Sequence, residues 1–332
     1  MGAAARRILR AAAPFMPGKW PAPENGCDYE SEVSFEIGPF KVTPYLVDHS
    51  AYDAYALLIE ADGKRLFYSG DFRAHGRKAN LFQRMIAKPP QDIDIMLLEG
   101  SSLGRIGDDQ TFKSEDDVEK ELENILRDTT GLAMVQTSAQ NVDRVVSILK
   151  ASKRCGRKLV IDLYTAAILE ATGNPRIPQS DWTDIALFIP LSQRVKILNN
   201  GWFDLRDRHA KNRIYIKALQ KTPHKYTLLF RSLYQDDLTK GNCLSGASYI
   251  YSLWSGYWDR GQNDSVKKWL LKHKIEKQHL HTSGHASPVD LKRFVKAFNP
   301  GKIVPIHTFA PEQYDKLFLN VEIHEDGEWW EL

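Results

Sequence analysis

The sequence predicts an α/β fold in which a β-rich part is interrupted by an inserted α/β part and then resumed. Three observations predict it. From Val33 to Leu98 the chain reads as short runs of β-branched and aromatic residues separated by turn signals. From about Thr111, strand-like and helix-like stretches alternate. Histidines and carboxylates suited to one site lie near both ends of the 332 residues, so an insertion is favoured over two tandem domains. The expected organisation is a first β-rich segment over residues 1–110, an insertion over 111–276 and a return segment over 277–332.

The elements follow in order. Ile8, Leu9, Ala12 and Phe15 recur at helical spacing, so the start reads as an amphipathic helix; its four basic residues before the first acid also fit a transit peptide, the less favoured reading. VSFEI, KVTPYLV, AYALLIEA, KRLFYSG and IDIMLLE read as an antiparallel meander, with Gly38-Pro39 and Asp62-Gly63 as turns. Ser114 is placed to cap a charged helix running to about Arg127. LAMVQ, a helix over 141–153, KLVIDL and the helix TAAILEAT then continue a βαβα pattern that suggests a parallel sheet. The stretch 174–246 is basic and irregular. After it come a helix from Asp264, the strand-like QHLHTSGHA, a helix from Pro288 to about Phe298, the strand KIVPIH and a closing strand pair.

Composition excludes several classes. Forty-five Lys and Arg against 42 Asp and Glu leave a net charge of +3, too small to argue nucleic-acid binding by itself. Cys27, Cys155 and Cys243 form no C-x-x-C, which argues against a disulfide framework and suits a reducing, cytoplasmic setting. No apolar run is long enough to span a membrane, so no membrane partner is expected.

The residues that could carry chemistry sit at strand ends. His49 follows KVTPYLV, Asp71 follows KRLFYSG, Glu99 ends IDIMLLE, His285 lies in a Ser-Gly-His turn before a helix, and His307 ends an apolar strand. Imidazole nitrogen and carboxylate oxygen are zinc ligands, and strand ends hold them on rigid supports. Each residue also has an ordinary explanation: a capped loop histidine, a turn aspartate, a strand-end acid, a helix-capping histidine, a satisfied core histidine. Glu99 could orient a metal-bound histidine from behind. Ser138, Asn141 and Arg144 place hydroxyl, amide and guanidinium groups at a helix N-terminus, where they could hold phosphate or simply cap the helix. His75 is at best a supporting residue.

At these residues the chain resembles the metallo-β-lactamase-fold hydrolases of the β-CASP group, such as ribonuclease J. DHSAYDAY is similar to the family's third motif and SGDFRAHGRK to the fourth; LLEGSSLGR, TSGHAS and VPIHTF are similar to motifs A, B and C. The resemblance implies an αββα sandwich carrying an inserted α/β β-CASP domain. It implies that His49 and His307 each bind one zinc, that Asp71 bridges two, and that Asp71, Glu99 and His285 serve catalysis. It implies substrate binding through Ser138, Asn141, Arg144 and Ser283. A histidine in motif C tilts the implied substrate towards single-stranded RNA, processed by a zinc-dependent nuclease.

One family signature, His-x-His-x-Asp-His, occurs nowhere in this sequence. The chain resembles a member that starts just after its second motif, an N-terminally truncated sandwich. Relatives hold two zinc ions; the expectation here is one weakly bound ion or none, and impaired hydrolysis. A partner, or a second copy in a homo-oligomer, could supply the missing segment. Two other readings stay open: a non-catalytic remnant that binds nucleic acid or a partner, and a metal-dependent hydrolase of a small ester, lactone or thioester.

Overall fold

The computed structural model describes residues 1–16, 18 and 26–331. The chain divides into two compact units: residues 1–6, 24–114 and 283–332, and residues 7–23 and 115–282. In chain order the elements are α1 (Ala3–Ala12), β1 (Phe35–Ile37), β2 (Phe40–Val47), β3 (Ala54–Ala61), β4 (Lys64–Tyr68), α2 (Ala79–Ala87) and β5 (Ile95–Glu99). Then come α3 (Glu115–Asp128), β6 (Ala133–Gln136), α4 (Val142–Arg154), β7 (Lys158–Ile161), α5 (Leu163–Ala171), β8 (Ile185–Phe188), α6 (Leu191–Asn200) and α7 (Phe203–Arg208). They continue with β9 (Arg213–Ile214), α8 (Ile216–Lys221), β10 (Tyr226–Phe230), α9 (Gln235–Lys240), β11 (Ser248–Tyr251), α10 (Asp264–Lys272) and β12 (Lys277–His279). The last are α11 (Pro288–Phe298), β13 (Lys302–Ile306) and α12 (Tyr314–Leu317). The fold is α/β, as expected.

The first unit is built on a six-stranded sheet of order β1-β2-β3-β4-β5-β13. β1 to β4 are antiparallel neighbours. The expectation of a wholly antiparallel meander fails at β5, which runs parallel to β4. A parallel pair needs a crossover, and α2 supplies one that lays Phe82 and Met85 on the sheet. α11 is fixed at its start by Ser287, whose hydroxyl accepts the Asp290 N–H, and by Pro288 in its first turn. The core between these helices and the sheet gathers Phe67, Phe72, Phe82, Phe294 and Phe298 with Met96, Leu98 and Ile303. The Phe294 ring lies 4.5 Å from Phe72 and 4.4 Å from Phe298. The expected closing strand pair is absent among the described residues; the tail makes only an isolated bridge between Ile303 and Val321.

The second unit carries a parallel sheet of order β12-β11-β6-β10-β7-β8-β9. Its central strands are apolar on both faces, and every residue of β8 is buried. The early residues 7–16 group here and not with the first segment as expected. Arg7 donates to the carbonyls of Ala171 and Thr172, and Phe15 packs at 5.3 Å against both Tyr164 and Trp202. Ile8 and Ala12 are buried, whereas Leu9, expected on the same face, is exposed.

Arg144 is a fully buried cation of this unit. Its side chain is 0 % exposed and donates to both Glu115 oxygens, from Nη2 at 3.0 Å and Nε at 3.1 Å. Nη1 donates to the Ser252 carbonyl and hydroxyl, and that hydroxyl donates to the Leu280 carbonyl at 2.6 Å. The expectation that Arg144 meets substrate phosphate is therefore corrected: a buried carboxylate needs a buried partner, and Glu115 takes the guanidinium. Arg144→Met should lower unfolding free energy by about 3–5 kcal/mol, because it strands a buried charge. Adding Glu115→Leu should recover much of that loss. Urea unfolding of the metal-free protein followed by circular dichroism measures both.

Candidate metal centre

Strand direction assembles the centre. β2 and β4 are both antiparallel to β3, and β5 and β13 run with β4. All four strands therefore deliver their carboxyl ends to one edge of the sheet. His49 follows β2, Asp71 follows β4, Glu99 ends β5 and His307 follows β13. His285 arrives at the same edge in the loop before α11. The His285 ring centroid lies 5.4 Å from that of His49 and 5.1 Å from that of His307. His307 Nδ1 and Asp71 Oδ1 are 2.7 Å apart. All five residues are thus brought together.

Backbone geometry makes this approach possible. Gly70 has φ +55, and a Cβ there would stand 2.7 Å from the Tyr55 carbonyl. His307 itself has φ +48, an uncommon conformation for a residue with a Cβ, found here at a functional cluster. A Cβ on Gly284 would fall 2.5 Å from Ser50 Oγ and 3.3 Å from His49 Cε1. The Gly284 carbonyl accepts His49 Nδ1–H at 2.7 Å, which assigns the neutral tautomer and leaves Nε2 with its lone pair.

Buried charges hold the loops in place. Glu99, 0 % exposed, accepts Phe72 N–H and Ala286 N–H on one oxygen and Ser101 N–H on the other. Its second oxygen lies 3.4 Å from His285 Nδ1, an electrostatic contact rather than an aligned hydrogen bond. Asp48 and Arg73 form a fully buried pair at 3.2 Å, and Asp48 also accepts Gly76 N–H. Arg73 and His75 both approach the Ser283 carbonyl, at 3.2 and 2.9 Å. Sequence reasoning missed Asp48 and Arg73, and gave His75 only a minor part. Their signal was present in DHS and DFRAHGR, charged residues flanked by the metal-type histidine and aspartate.

The two central histidines differ electrostatically. Burial, then the neighbouring His285 charge, pushes His49 down to about 4. Burial opposes charge on His285 too, but the Glu99 carboxylate, and Asp71 beyond it, outweigh it and raise that imidazole above its ordinary value. His49 is accordingly a neutral ligand-type imidazole and His285 a proton-holding one.

The substrate-binding expectations divide. Ser283 lies at this centre, but its hydroxyl accepts the His285 N–H at 3.0 Å. Ser138 and Asn141 belong to the other unit: the Ser138 hydroxyl accepts Gln140 N–H, and Asn141 caps α4 by accepting Arg144 N–H.

The donor set suits a metal. His49, Asp71 and His285 offer ligand atoms within 4.8 Å of one another, as do Glu99, His285 and His307. Two imidazoles and one carboxylate per group are zinc-type donors. The single set of His49, Asp71 and His307, expected to share one ion, does not form a group of its own; His285 belongs to both groups that do.

Known proteins agree with this reading. Residues 271–314 match the family described as RMMBL, Zn-dependent metallo-hydrolase RNA specificity domain. A ribonuclease J of Mycoplasma pneumoniae is 24% identical over 136 residues, 40% of this chain and 23% of that protein. A ribonuclease J of Mycobacterium tuberculosis is 23% identical over 283 residues, 81% of this chain and 47% of that protein. The chain spans less than half the length of these curated relatives. In fold it is similar to a protein of unknown function from Enterococcus faecalis V583, with a TM-score of 0.75 and 24% identity, covering 99% of this chain and 74% of that one. With its histidine and carboxylate centre on co-directed strand ends, the chain is similar to ribonuclease J proteins and carries at residues 271–314 a match to a Zn-dependent metallo-hydrolase RNA specificity domain.

Proposed function

We propose that this chain is a zinc-dependent phosphodiester hydrolase acting on RNA, with residues 111–276 as its β-CASP-like insertion. The observation that carries the reading is the convergence of His49, Asp71, Glu99, His285 and His307 on one sheet edge. His49 and Asp71 would hold zinc, joined by His307, which now contacts Asp71 at 2.7 Å and would have to shift towards His49 to complete the set; zinc when bound supplies a Lewis acid for a phosphoryl oxygen and activates water near neutral pH. The Gly284 carbonyl orients His49 for this, and Asp71, after the Gly70 turn, contacts His307 at 2.7 Å. His285 keeps its proton with the help of Glu99, so it can donate to a phosphate oxygen or to the departing oxygen. Glu99 acts through His285 and is a positioning residue.

Without a His-x-His-x-Asp-His string, this sequence supplies few ligands for two ions. One weakly held ion and slow turnover are the expected state. The same fact favours a second reading, RNA binding without hydrolysis. RNA binding that persists in chelator, with no cleavage after zinc is added, would select it.

Zinc titration followed by equilibrium dialysis should give at most one ion per chain. His49→Ala and Asp71→Asn should each weaken zinc affinity by at least about tenfold. Unchanged affinity in both variants would remove the centre from metal chemistry.

His285→Ala should retain zinc while lowering RNA cleavage by about 10²–10⁴-fold, the usual worth of a general acid. Zinc loss in that variant would make His285 a ligand instead. The pH dependence has a definite sign. The acid works when protonated, so the rate should fall as pH rises through the raised His285 value, above its ordinary 6.5. On the acid side, activity should fail as His49 protonates near about 4 and gives up zinc. A cleavage profile against pH on the zinc-loaded protein checks both limbs.

A further inference from the structure

The parallel sheet of the inserted unit has a crevice that the histidine centre does not use. β7 and β10 are neighbours, yet β7 continues to β8 on one side and β10 continues to β11 on the other, across β6. Where connections diverge in an open parallel sheet, the carboxyl ends of the two strands leave a gap that commonly takes a ligand. The residue after β7 is Asp162, and the residue after β10 is Arg231.

These two side chains meet. Arg231 Nε lies 3.2 Å from Asp162 Oδ2 in an ion pair. The guanidinium lies over the Tyr164 ring, 4.3 Å from its centroid, and that ring meets Phe15 in a T-shaped contact. Gln140, in the loop after β6, donates to the Tyr164 hydroxyl at 3.0 Å. Asp162 is saturated in turn: it accepts Thr165 N–H at 2.8 Å, the Thr165 hydroxyl at 2.6 Å and Gln193 Nε2–H at 2.8 Å. Its side chain is 1 % exposed, while that of Arg231 is 27 % exposed.

The guanidinium is therefore engaged at its Nε end by an ion pair and on one face by a ring. Among the described residues, nothing accepts from its Nη1 and Nη2 groups. A helix cap with an arginine laid over it explains the Nε contact. It does not explain why the outer edge, whose parallel N–H bonds match two oxygens of a phosphate, is left open.

We propose that Arg231 is a phosphate-binding residue at the β7/β10 crevice of the inserted unit, contacting a backbone phosphate of single-stranded RNA. The choice of RNA rests on the function proposed above; the phosphate chemistry does not. Asp162 cancels the net charge of the pair, so recognition depends on short, directed hydrogen bonds rather than long-range attraction. Free phosphate should accordingly bind weakly, and a phosphate delivered by a strand held elsewhere should bind better.

The test uses the full chain in chelator, so that cleavage plays no part. Binding of a fluorescein-labelled oligouridylate is followed by anisotropy over a range of salt concentrations. Arg231→Gln should weaken binding by about 10- to 100-fold, the worth of a charge-assisted contact. It should also lower the slope of log affinity against log salt by about 0.7, one phosphate on a single strand. Arg231→Lys keeps the charge without the fork and should recover the slope but only part of the affinity. Melting curves establish that each variant is folded, and Arg231→Lys carries the test if Arg231→Gln is not. Unchanged affinity and slope in the folded variants would overturn the proposal while leaving the RNA reading intact. A second arm titrates inorganic phosphate and uridine monophosphate against the guanidinium Nε–H resonances. If the wild-type chain binds no RNA, a phosphate-dependent shift lost in Arg231→Lys keeps the site and rejects its RNA ligand; no shift rejects the site.

Discussion

A carboxylate sealed inside protein must be met by donors, and at Glu99 this requirement organises the whole centre. Its two oxygens are approached by backbone N–H groups from residues 72, 101 and 286, contributed by three loops far apart in sequence. Satisfying one buried charge thereby ties the Asp71 loop, the end of β5 and the His285 loop to a common point. The Asp48–Arg73 pair repeats the device one layer away, joining the His49 loop to the Asp71 loop and, through the Ser283 carbonyl, to the return segment. Breaking either arrangement would strand charge in a medium that solvates it poorly, so the loops have little freedom to separate. The rigidity that a ligand set needs comes from this buried network, and the catalytic-type side chains are attached to it.

Much of the centre was legible in the sequence because the ligands sit at strand ends. An apolar run announces a strand, and the polar residue directly after it can be placed at an edge without any knowledge of packing. His49, Asp71, Glu99 and His307 were found that way, and His285 by its Ser-Gly turn. What the sequence withheld were pairings. That β5 runs with β4, and not against it, depends on α2 lying across the sheet, which residue spacing between two short apolar runs does not reveal. Asp48 and Arg73 looked like ordinary loop charges because only the fold buries them. Arg144 misled for the same reason in reverse: beside a helix N-terminus it resembles a phosphate ligand, and only the proximity of Glu115, 29 residues earlier, shows where its charge is spent.

Arg144 and Arg231 make an instructive pair. Both lie beyond the carboxyl ends of parallel strands in the same unit, and both are paired with a carboxylate that is 1 % exposed. In Arg144 every edge of the guanidinium is occupied, and nothing remains for a ligand. In Arg231 one edge and one face are occupied, while the terminal nitrogens are not. The difference between a structural arginine and a receptor is thus a count of committed N–H groups, not a matter of burial or charge. Topology supplies the reason: Arg144 lies under the β6, β11 and β12 ends, where Ser252 and Leu280 close over it, whereas Arg231 stands where the connections part.

The same logic separates the histidines of the metal centre. His49 and His285 have ring centroids 5.4 Å apart and are both largely enclosed, so burial acts on each in the same direction. Their neighbours decide the rest. For His49, burial and the positive charge of His285 outweigh the Asp71 carboxylate and the Gly284 carbonyl, which both favour the charged ring, so its neutral form is favoured. His285 faces Glu99, so its charged form is favoured. A protonated His285 beside a neutral His49 also repels any charge on the latter, which keeps the His49 lone pair available down to low pH. Two identical side chains are in this way shifted in opposite directions, one towards the neutral form that holds a cation and the other towards the charged form that gives up a proton. That division requires no difference in sequence chemistry between the two residues; it follows from the close Glu99 carboxylate at His285 and from the burial and neighbouring positive charge that act on His49.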